Sequence, residues 1–204
     1  MEILLCNDDG YYSKGIKELE LALLDIANLT IVAPETNCSG ASSSLTIKNP
    51  LRIRKFQENG YFVNGTPCDC IHLAATTICD KRPELILSGI NLGANLGDDV
   101  LYSGTVGAAM GGRFIDVPCL ALSIVDRKPV YLNTAVEVAL NLVKFLSVSN
   151  IFIVTPITSK PSLASNAAAT EESTPPDIAT TILFLLFLSA ITDFNYLSFK
   201  FILK

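Results

Sequence analysis

The segment ILLCNDDGYYSKG, residues 3–15, ends a short apolar run with two adjacent aspartates and a glycine. Residues 2–6 are followed directly by turn-forming residues, which is typical of a buried strand. Residues 16–26 are rich in Leu, Glu and Lys, which favours a helix. LTIVAP, residues 29–34, is predicted to be a second strand that ends at its proline. These three elements predict a β-α-β unit.

Helices and strands continue to alternate after this unit. Asn59-Gly60, between two β-like stretches, predicts a hairpin turn. Further helices are predicted at residues 68–79, 105–114 and 134–146, and further strands at residues 85–87 and 118–125. This order predicts an α/β fold with a mostly parallel sheet and helices on both of its faces.

Composition and charge narrow the class of protein. With 204 residues, 50% of them hydrophobic and 17% charged, the chain is long enough to bury a globular core. Its formal net charge of −5 provides no general attraction for nucleic acid, so no nucleic acid duplex is expected as a partner. The six cysteines lack the paired spacing of a structural zinc site, and free thiols fit a reducing cytoplasm. Met1 leads into a strand without a basic region or a cleavage site, so no signal peptide is expected.

Three loops of unusual composition follow predicted strands. They are residues 7–10, 36–44 and 89–104, and they are rich in Asn, Asp, Ser and Gly. In open parallel sheets, ligands bind beyond the carboxyl ends of the strands, where the strand order reverses. We therefore expect the three loops to meet around one ligand site.

Asp8 and Asp9 are candidates for binding a divalent cation. Two neighbouring carboxylates repel each other, which raises the pKa of one of them unless a cation neutralises the pair. Oxygen ligands select Mg²⁺, Mn²⁺ or Ca²⁺ over soft metals. The hydroxyl of Ser39 and an amide from Asn91 or Asn95 would complete an oxygen shell. The alternative is that the tetrapeptide Asn-Asp-Asp-Gly is only a turn whose carboxylates cap the following helix.

The third loop has the composition of a phosphate-binding segment. Glycines allow backbone N–H groups to approach an anion, and Ser103, Thr105 and the start of the following helix form a natural cradle for phosphate. The loop matches neither the P-loop pattern nor G-x-G-x-x-G, so a flexible surface loop is the alternative. The glycines concerned are Gly40, Gly89, Gly93, Gly97 and Gly104.

Four motifs together resemble the SurE family, the bacterial survival protein E nucleotidases. They occur in the order in which the family has them, within about residues 1–145. The motifs are ILLCNDDG, VAPETNCSGASSSLT, VNGTPCDCIHLA and LILSGINLGANLGDDVLYSGTVGAAM.

The resemblance implies a Rossmann-like, three-layer α/β domain that acts as a cytoplasmic, metal-dependent phosphatase. Its substrates would be nucleoside 5′- and 3′-monophosphates, and its cofactor would be one divalent metal ion, Mg²⁺ or Mn²⁺. By motif, the metal ligands fall on Asp8, Asp9, Ser39 and Asn91. The residues that fall at the family's phosphate site are Gly40, Asn95, Ser103, Gly104 and Thr105.

The expected mechanism assigns catalysis to the two aspartates. The metal would polarise the phosphate and activate a water molecule, and Asp8 or Asp9 would orient or deprotonate that water. An aspartyl-phosphate formed on Asp8 is an alternative route. The only histidine, His72, lies outside the three loops and is interpreted as a packing or surface residue. A rival interpretation is a non-catalytic module that binds nucleotides or anions.

From about residue 147 the chain no longer resembles the family. We therefore predict two parts: a phosphatase domain at residues 1–146 and an atypical tail at residues 147–204. The tail is linker-like at residues 159–177 and apolar at residues 178–203. The uncharged run at residues 178–192 has 15 residues, short of the ~20 that span a bilayer, so membrane association is not expected.

The tail leads to a hypothesis about the gene. An abrupt change of composition within a continuous match is what a shift of reading frame produces, so we interpret the tail as a frame lesion in an ordinary family member. In the family, an extended part beyond the α/β domain helps to form dimers or tetramers. Its replacement makes such assembly doubtful here and predicts an impaired or degenerate product.

Overall fold

The computed structural model describes residues 1–125 and 129–148, together with two strands nearer the carboxyl terminus. The strands are β1 (Glu2–Cys6), β2 (Asn28–Pro34), β3 (Ile53–Gln57), β4 (Gly60–Val63), β5 (Leu85–Leu92), β6 (Cys119–Ile124), β7 (Ile182–Leu188) and β8 (Leu197–Ile202). The helices are α1 (Lys14–Leu23), α2 (Pro67–Leu73), α3 (Asp99–Tyr102), α4 (Gly104–Gly111) and α5 (Leu132–Val148).

These strands form one sheet in the order β3-β4-β2-β1-β5-β6-β7-β8. The five central strands β4, β2, β1, β5 and β6 run parallel, whereas β3, β7 and β8 pair antiparallel with their neighbours. From β1 the chain moves to β2 on one side, and it later returns to β5 on the other side. The strand order therefore reverses at β1, and a crevice at its carboxyl end is the expected ligand position.

Alternating side chains of the sheet pack against helices on both faces. On β1, Ile3 and Leu5 belong to a core shared with α1 and α5, while Leu4 and Cys6 belong to a second core shared with α2 and α4. All four side chains are buried, and full burial of each Ile or Leu side chain contributes roughly 1.5–3 kcal/mol. The predicted three-layer α/β fold with a mostly parallel sheet is therefore confirmed.

Strand β5 is longer than the sequence predicts. Instead of ending at residue 87 it continues to Leu92, with a shift of register against β6 between Ser88 and Asn91. At the shift, Gly89 has a φ of +136° and its peptide bond to Ile90 is cis. A Cβ on Gly89 would lie 2.4 Å from the carbonyl oxygen of Leu122, so the two strands approach too closely for any side chain. Asn91 therefore lies on a strand rather than in the loop.

Other element bounds also differ from the prediction, including both ends of α1, which spans Lys14–Leu23 instead of residues 16–26. The helix predicted at residues 68–79 ends at Leu73 and continues as a π-helical turn, Ala74–Ile78. Helix α3 lies inside the predicted long loop, and α4 ends at Gly111 before a short 3₁₀ turn.

The apolar part of the tail contributes strands to the same sheet. β7 pairs with β6, with Leu122 opposite Phe184, and β8 pairs with β7. The linker-like stretch predicted at residues 159–177 lies outside the described residues. The division of the chain at residues 146 and 147 stays a prediction. Among the described residues, no helix is both long and apolar enough to cross a membrane.

Candidate functional site

A tight turn follows β1 and carries both aspartates. The Asn7 amide nitrogen donates hydrogen bonds to the Gly10 carbonyl at 3.0 Å and to the Ser13 hydroxyl at 2.6 Å, and the Asn7 amide oxygen accepts from the Gly10 N–H at 3.2 Å. Gly10 has a φ of +100°, which favours glycine. Asn7, rather than Asp8 or Asp9, therefore makes the side-chain hydrogen bonds of the turn. This leaves the carboxylates with other partners, unlike the alternative in which they cap the helix.

Asp8 is 4% exposed and is fixed by contacts from two distant segments. Its Oδ1 accepts a hydrogen bond of 2.6 Å from the hydroxyl of Thr105, and its backbone carbonyl accepts one of 2.7 Å from the N–H of Cys38. A Cβ on Gly104 would lie 2.7 Å from the Cβ of Asp8, so glycine is required at that position. These contacts bring the first two predicted loops and the start of α4 together around one buried carboxylate.

The start of α4 points toward this carboxylate. Ser103 precedes the helix, and its hydroxyl accepts a hydrogen bond of 3.1 Å from the N–H of Val106. Helix amino termini carry a partial positive charge and exposed N–H groups, which favour a carboxylate or a phosphate. The predicted phosphate residues Ser103, Gly104 and Thr105 therefore lie next to Asp8.

Asp9 is less buried than Asp8, and its surroundings disfavour the charged form of its carboxyl group. Burial raises the pKa of Asp9 from its ordinary value of 3.8 to about 6, and the negative charge of Asp8 adds to this rise. A hydrogen bond of 3.1 Å from the amide of Asn37 opposes the rise. The expected repulsion between the two aspartates is therefore found at Asp9.

The loop at residues 36–44 lies across the beginning of α4. The N–H of Ser42 donates to the carbonyl of Tyr102 at 3.1 Å, and its hydroxyl donates to the carbonyl of Leu101 at 2.7 Å. Ser39 and Gly40 are exposed. Gly40 has a φ of +80°, and no atom lies within 4 Å of the position that a Cβ would occupy there. The loop thus presents an open side next to the aspartates.

Asn91 and Asn95 lie at the same end of the sheet but contact other partners. The amide nitrogen of Asn91 donates to the carbonyl of Gly93 at 2.9 Å, and that of the buried Asn95 donates to the hydroxyl of Ser123 at 2.7 Å. In both residues it is the nitrogen that the protein engages, whereas a hard cation binds the amide oxygen. In the part of the chain that the structure describes, no side-chain hydrogen bond joins either asparagine to Asp8 or Asp9, so their part in a cation site stays a prediction.

Two residues that the sequence did not single out support the site. Asn37 links Asp9 to the loop that carries Ser39. Asp69 is 3% exposed and accepts hydrogen bonds from the backbone N–H groups of Thr46 and Thr66, at 3.0 and 2.8 Å. The order Thr-Pro-x-Asp before an apolar run is the sequence signal for the second of these contacts. His72 is exposed, as expected for a surface residue.

The donor set at the site consists of oxygen atoms. Across residues 1–125 and 129–148, no group of three or more His, Cys, Asp or Glu side chains is arranged to hold a metal ion. A cation held by Asp8 and Asp9 would therefore need hydroxyl or amide oxygens to complete its shell, as the sequence predicts for Ser39 and Asn91.

Comparison with known proteins gives a consistent family. The model of the family "Survival protein SurE" matches residues 3–180, and so continues beyond the limit near residue 147 that the motifs indicate. The chain is 52% identical over 145 residues to the 5′-nucleotidase SurE of Methylococcus capsulatus, covering 71% of this chain and 57% of that protein. The values for the 5′-nucleotidase SurE of Aliivibrio fischeri are 52%, 71% and 56%.

A solved structure agrees with these matches. The SurE protein from Aquifex aeolicus superposes with a TM-score of 0.68 and 44% sequence identity, covering 72% of this chain and 60% of that one. The chain spans little more than half the length of the curated relatives that it matches. The motifs, the sheet order and the matches agree, and the chain belongs to the SurE family.

Proposed function

We propose that this chain hydrolyses nucleoside 5′- and 3′-monophosphates to nucleoside and phosphate, with one divalent metal ion, Mg²⁺ or Mn²⁺, as its cofactor. Relatives at 52% identity are named 5′-nucleotidases. The observation that carries the proposal is the buried Asp8, held by Thr105 at the start of α4 and adjacent to Asp9. This arrangement supports a cation site at the two aspartates beside a phosphate site at the start of α4.

The residues present fit a divalent cation. The raised pKa of Asp9 reflects a carboxylate that is partly buried beside a second negative charge, an unfavourable state that a bound cation relieves. Asp8 and Asp9 would hold the ion, with oxygen atoms from Ser39 and Asn91. When bound, a divalent cation supplies Lewis-acid polarisation of a phosphoryl oxygen and a source of activated water.

The remaining chemistry belongs to the chain itself. Thr105 fixes the orientation of the Asp8 carboxylate, and the N–H groups at the start of α4 bind the phosphate. Gly40, with its open side, allows backbone to approach the same anion. Asp8 or Asp9 orients the attacking water and accepts its proton on a carboxylate oxygen. Phosphoryl transfer needs mainly this positioning and neutralisation of charge.

A phosphate-release assay tests the proposal. Purified protein should release phosphate from adenosine 5′-monophosphate with Mn²⁺ or Mg²⁺ and should stop when a chelator is added. Asp8→Asn should lower the rate at least about 100-fold, because it removes charge from the cation site. Asp25→Asn, which changes an exposed aspartate beyond α1, is the matched control and should leave the rate unchanged. Nucleotide binding without turnover and without metal dependence would support the non-catalytic module instead.

We further propose that this chain turns over more slowly than a relative of full length. The match covers 57% and 56% of the two curated relatives from Methylococcus and Aliivibrio, and the tail from about residue 147 does not resemble the extended part that the family resemblance assigns to assembly. Equal rates for this chain and the Methylococcus relative, measured on the same monophosphate, would contradict this.

We also propose a cytoplasmic location and a nucleoside monophosphate, rather than nucleic acid, as the partner.

A further inference from the structure

We propose that Asn37 is a positioning residue that sets the affinity of the site for its divalent cation by coupling Asp9 to Ser39. The inference rests on the proposed function, because it concerns the same cation site. It adds a residue outside the expected ligand set, which acts through the two groups that it joins.

One side-chain amide makes both contacts. Its nitrogen donates a hydrogen bond of 3.1 Å to Oδ1 of Asp9, and its oxygen accepts one of 2.9 Å from the backbone N–H of Ser39. The second contact, from a residue to the N–H two positions later, is the Asx turn that asparagine favours. The amide therefore fixes the carboxylate of Asp9 and the local backbone of Ser39 at the same time.

The neighbouring residues are joined as well. The N–H of Cys38 donates a hydrogen bond of 2.7 Å to the carbonyl of Asp8, so two consecutive residues of one loop contact two consecutive residues of the other. The backbone contact fixes the distance between the loops. Among the described residues, the side-chain hydrogen bond to the Asp9 carboxylate comes from Asn37, and the negative charge of Asp8 acts on the same carboxylate.

Loss of the amide would change the site in a defined direction. Without a donor, the carboxylate of Asp9 turns away from Asp8 because the two negative charges repel. Without an acceptor, the Ser39 backbone N–H must turn toward solvent. Both candidate ligands then have to be ordered again when the cation binds. Partners that orient metal ligands typically change metal affinity by about 10–100-fold when they are removed.

Asn37→Ala tests this, and the chain offers a close control. Asn37 is exposed, so its truncation leaves no cavity in the core. Asn28 is also exposed, and it also donates to a carboxylate, Oε1 of Glu2 at 3.0 Å, but it lies at the opposite end of β2. Asn28→Ala therefore removes an equivalent hydrogen bond far from the site. Mn²⁺ binding is measured directly from the loss of the electron paramagnetic resonance signal of free Mn²⁺.

We expect the dissociation constant for Mn²⁺ to rise about 10–100-fold in Asn37→Ala and to change less than about twofold in Asn28→Ala. At saturating Mn²⁺, kcat of Asn37→Ala should return to within about threefold of the original chain, since the catalytic groups are intact. A merely structural defect would not be rescued by metal. If Asn37→Ala fails to fold, Asn37→Ser replaces it, because serine keeps a short acceptor for the Ser39 N–H but does not reach Asp9.

The possible failures are distinguishable. If the original chain binds Mn²⁺ and Asn37→Ala binds it equally well, this inference is overturned and the proposed function stands. The same holds if excess Mn²⁺ does not restore kcat. If the original chain binds no Mn²⁺, the proposed function is overturned, and this inference falls with it.

Discussion

Thr105 is a fully buried residue that makes a short hydrogen bond to Asp8. Its hydroxyl donates to Oδ1 of Asp8 at 2.6 Å, and both residues are at most 4% exposed. A buried carboxylate oxygen without a donor is removed from water but gains no hydrogen bond in return, which destabilises the folded state. This contact therefore ties the stability of the fold to the geometry of the site.

Thr105→Val is expected to lower the free energy of unfolding by about 1–3 kcal/mol, because it keeps the volume and removes the donor. Urea denaturation in the presence of chelator measures the change. Thr76→Val is the control, since the Thr76 hydroxyl bonds the carbonyl of His72 at an exposed position. Equal stability of Thr105→Val and the original chain would show that the hydrogen bond has no net effect.

The raised pKa of Asp9 leads to a predicted dependence of folding stability on pH in the metal-free protein. Its pKa in the folded chain, about 6, lies above its ordinary value of 3.8, so folding favours the protonated form. The stability contributed by this proton is complete below pH 4 and is lost as the pH rises through 6. Asp9→Asn removes this loss. With a discount for partial exposure, the variant should be about 1 kcal/mol more stable than the original chain at pH 7.5.

Denaturation of both proteins at pH 4 and pH 7.5, with chelator, measures this difference. Asp25→Asn controls for the change of net charge. An advantage of Asp9→Asn that is equally large at pH 4 would mean that the carboxylate is not the cause.

Some of these residue contacts follow from the sequence and others do not. Asp8 and Thr105 are 97 positions apart, yet Asp8 directly follows β1 and Thr105 follows the neighbouring strand β5 after a loop, so the rule for parallel sheets predicts that they meet. The contact between Asn37 and Asp9 does not follow from the sequence. It depends on how two loops are positioned relative to each other, and no local sequence pattern determines that.

At the scale of elements, Asp69 joins helix α2 to Thr46, two positions after the loop at residues 36–44. Thr66 and Asp69 form a reciprocal capping box at the start of α2, and the same carboxylate accepts the N–H of Thr46. Helix entry and loop exit thus depend on one buried side chain. The β-α-β pattern predicts the helix but not this connection.

Asp69→Ala is expected to lower the free energy of unfolding by about 2–3 kcal/mol, through the lost cap and the unpaired N–H groups. Asp99→Ala, in the exposed first turn of α3, should change it by less than about 0.5 kcal/mol. Chemical denaturation of both variants makes the comparison. A similar small effect at both positions would indicate that water replaces the Asp69 contacts.

The extension of β5 shows where local patterns stop being sufficient. Residues 88–92 contain two polar residues and a glycine, a composition that predicts a loop. They pair instead with β6, which lies more than twenty positions away, and the close approach at Gly89 makes this pairing possible. Pairing between distant strands overrides the local preference here.

At the scale of the whole molecule, the chain combines the α/β sheet of the SurE family with a tail, from about residue 147, that does not resemble the family motifs. We predict that translation of the other two reading frames downstream of codon 145 yields sequence typical of the family. Sequencing the gene provides the measurement. The absence of such sequence in both frames would contradict a frame lesion and leave the present tail as the inherited one.

Two backbone hydrogen bonds hold the loop at residues 36–44. One joins Cys38 to Asp8 in the turn after β1, and the other joins Ser42 to Tyr102, just before α4. Residues 39–41 lie between these two contacts, and within them the Ser39 N–H donates to the Asn37 amide and the Ala41 N–H to the Cys38 carbonyl, so this short segment has little freedom to move. The length of this segment therefore limits how far the turn after β1 and the start of α4 can separate. Inserting one glycine into residues 39–41 would admit bulkier phosphate esters, whereas deleting a residue would draw the turn after β1 and the start of α4 together.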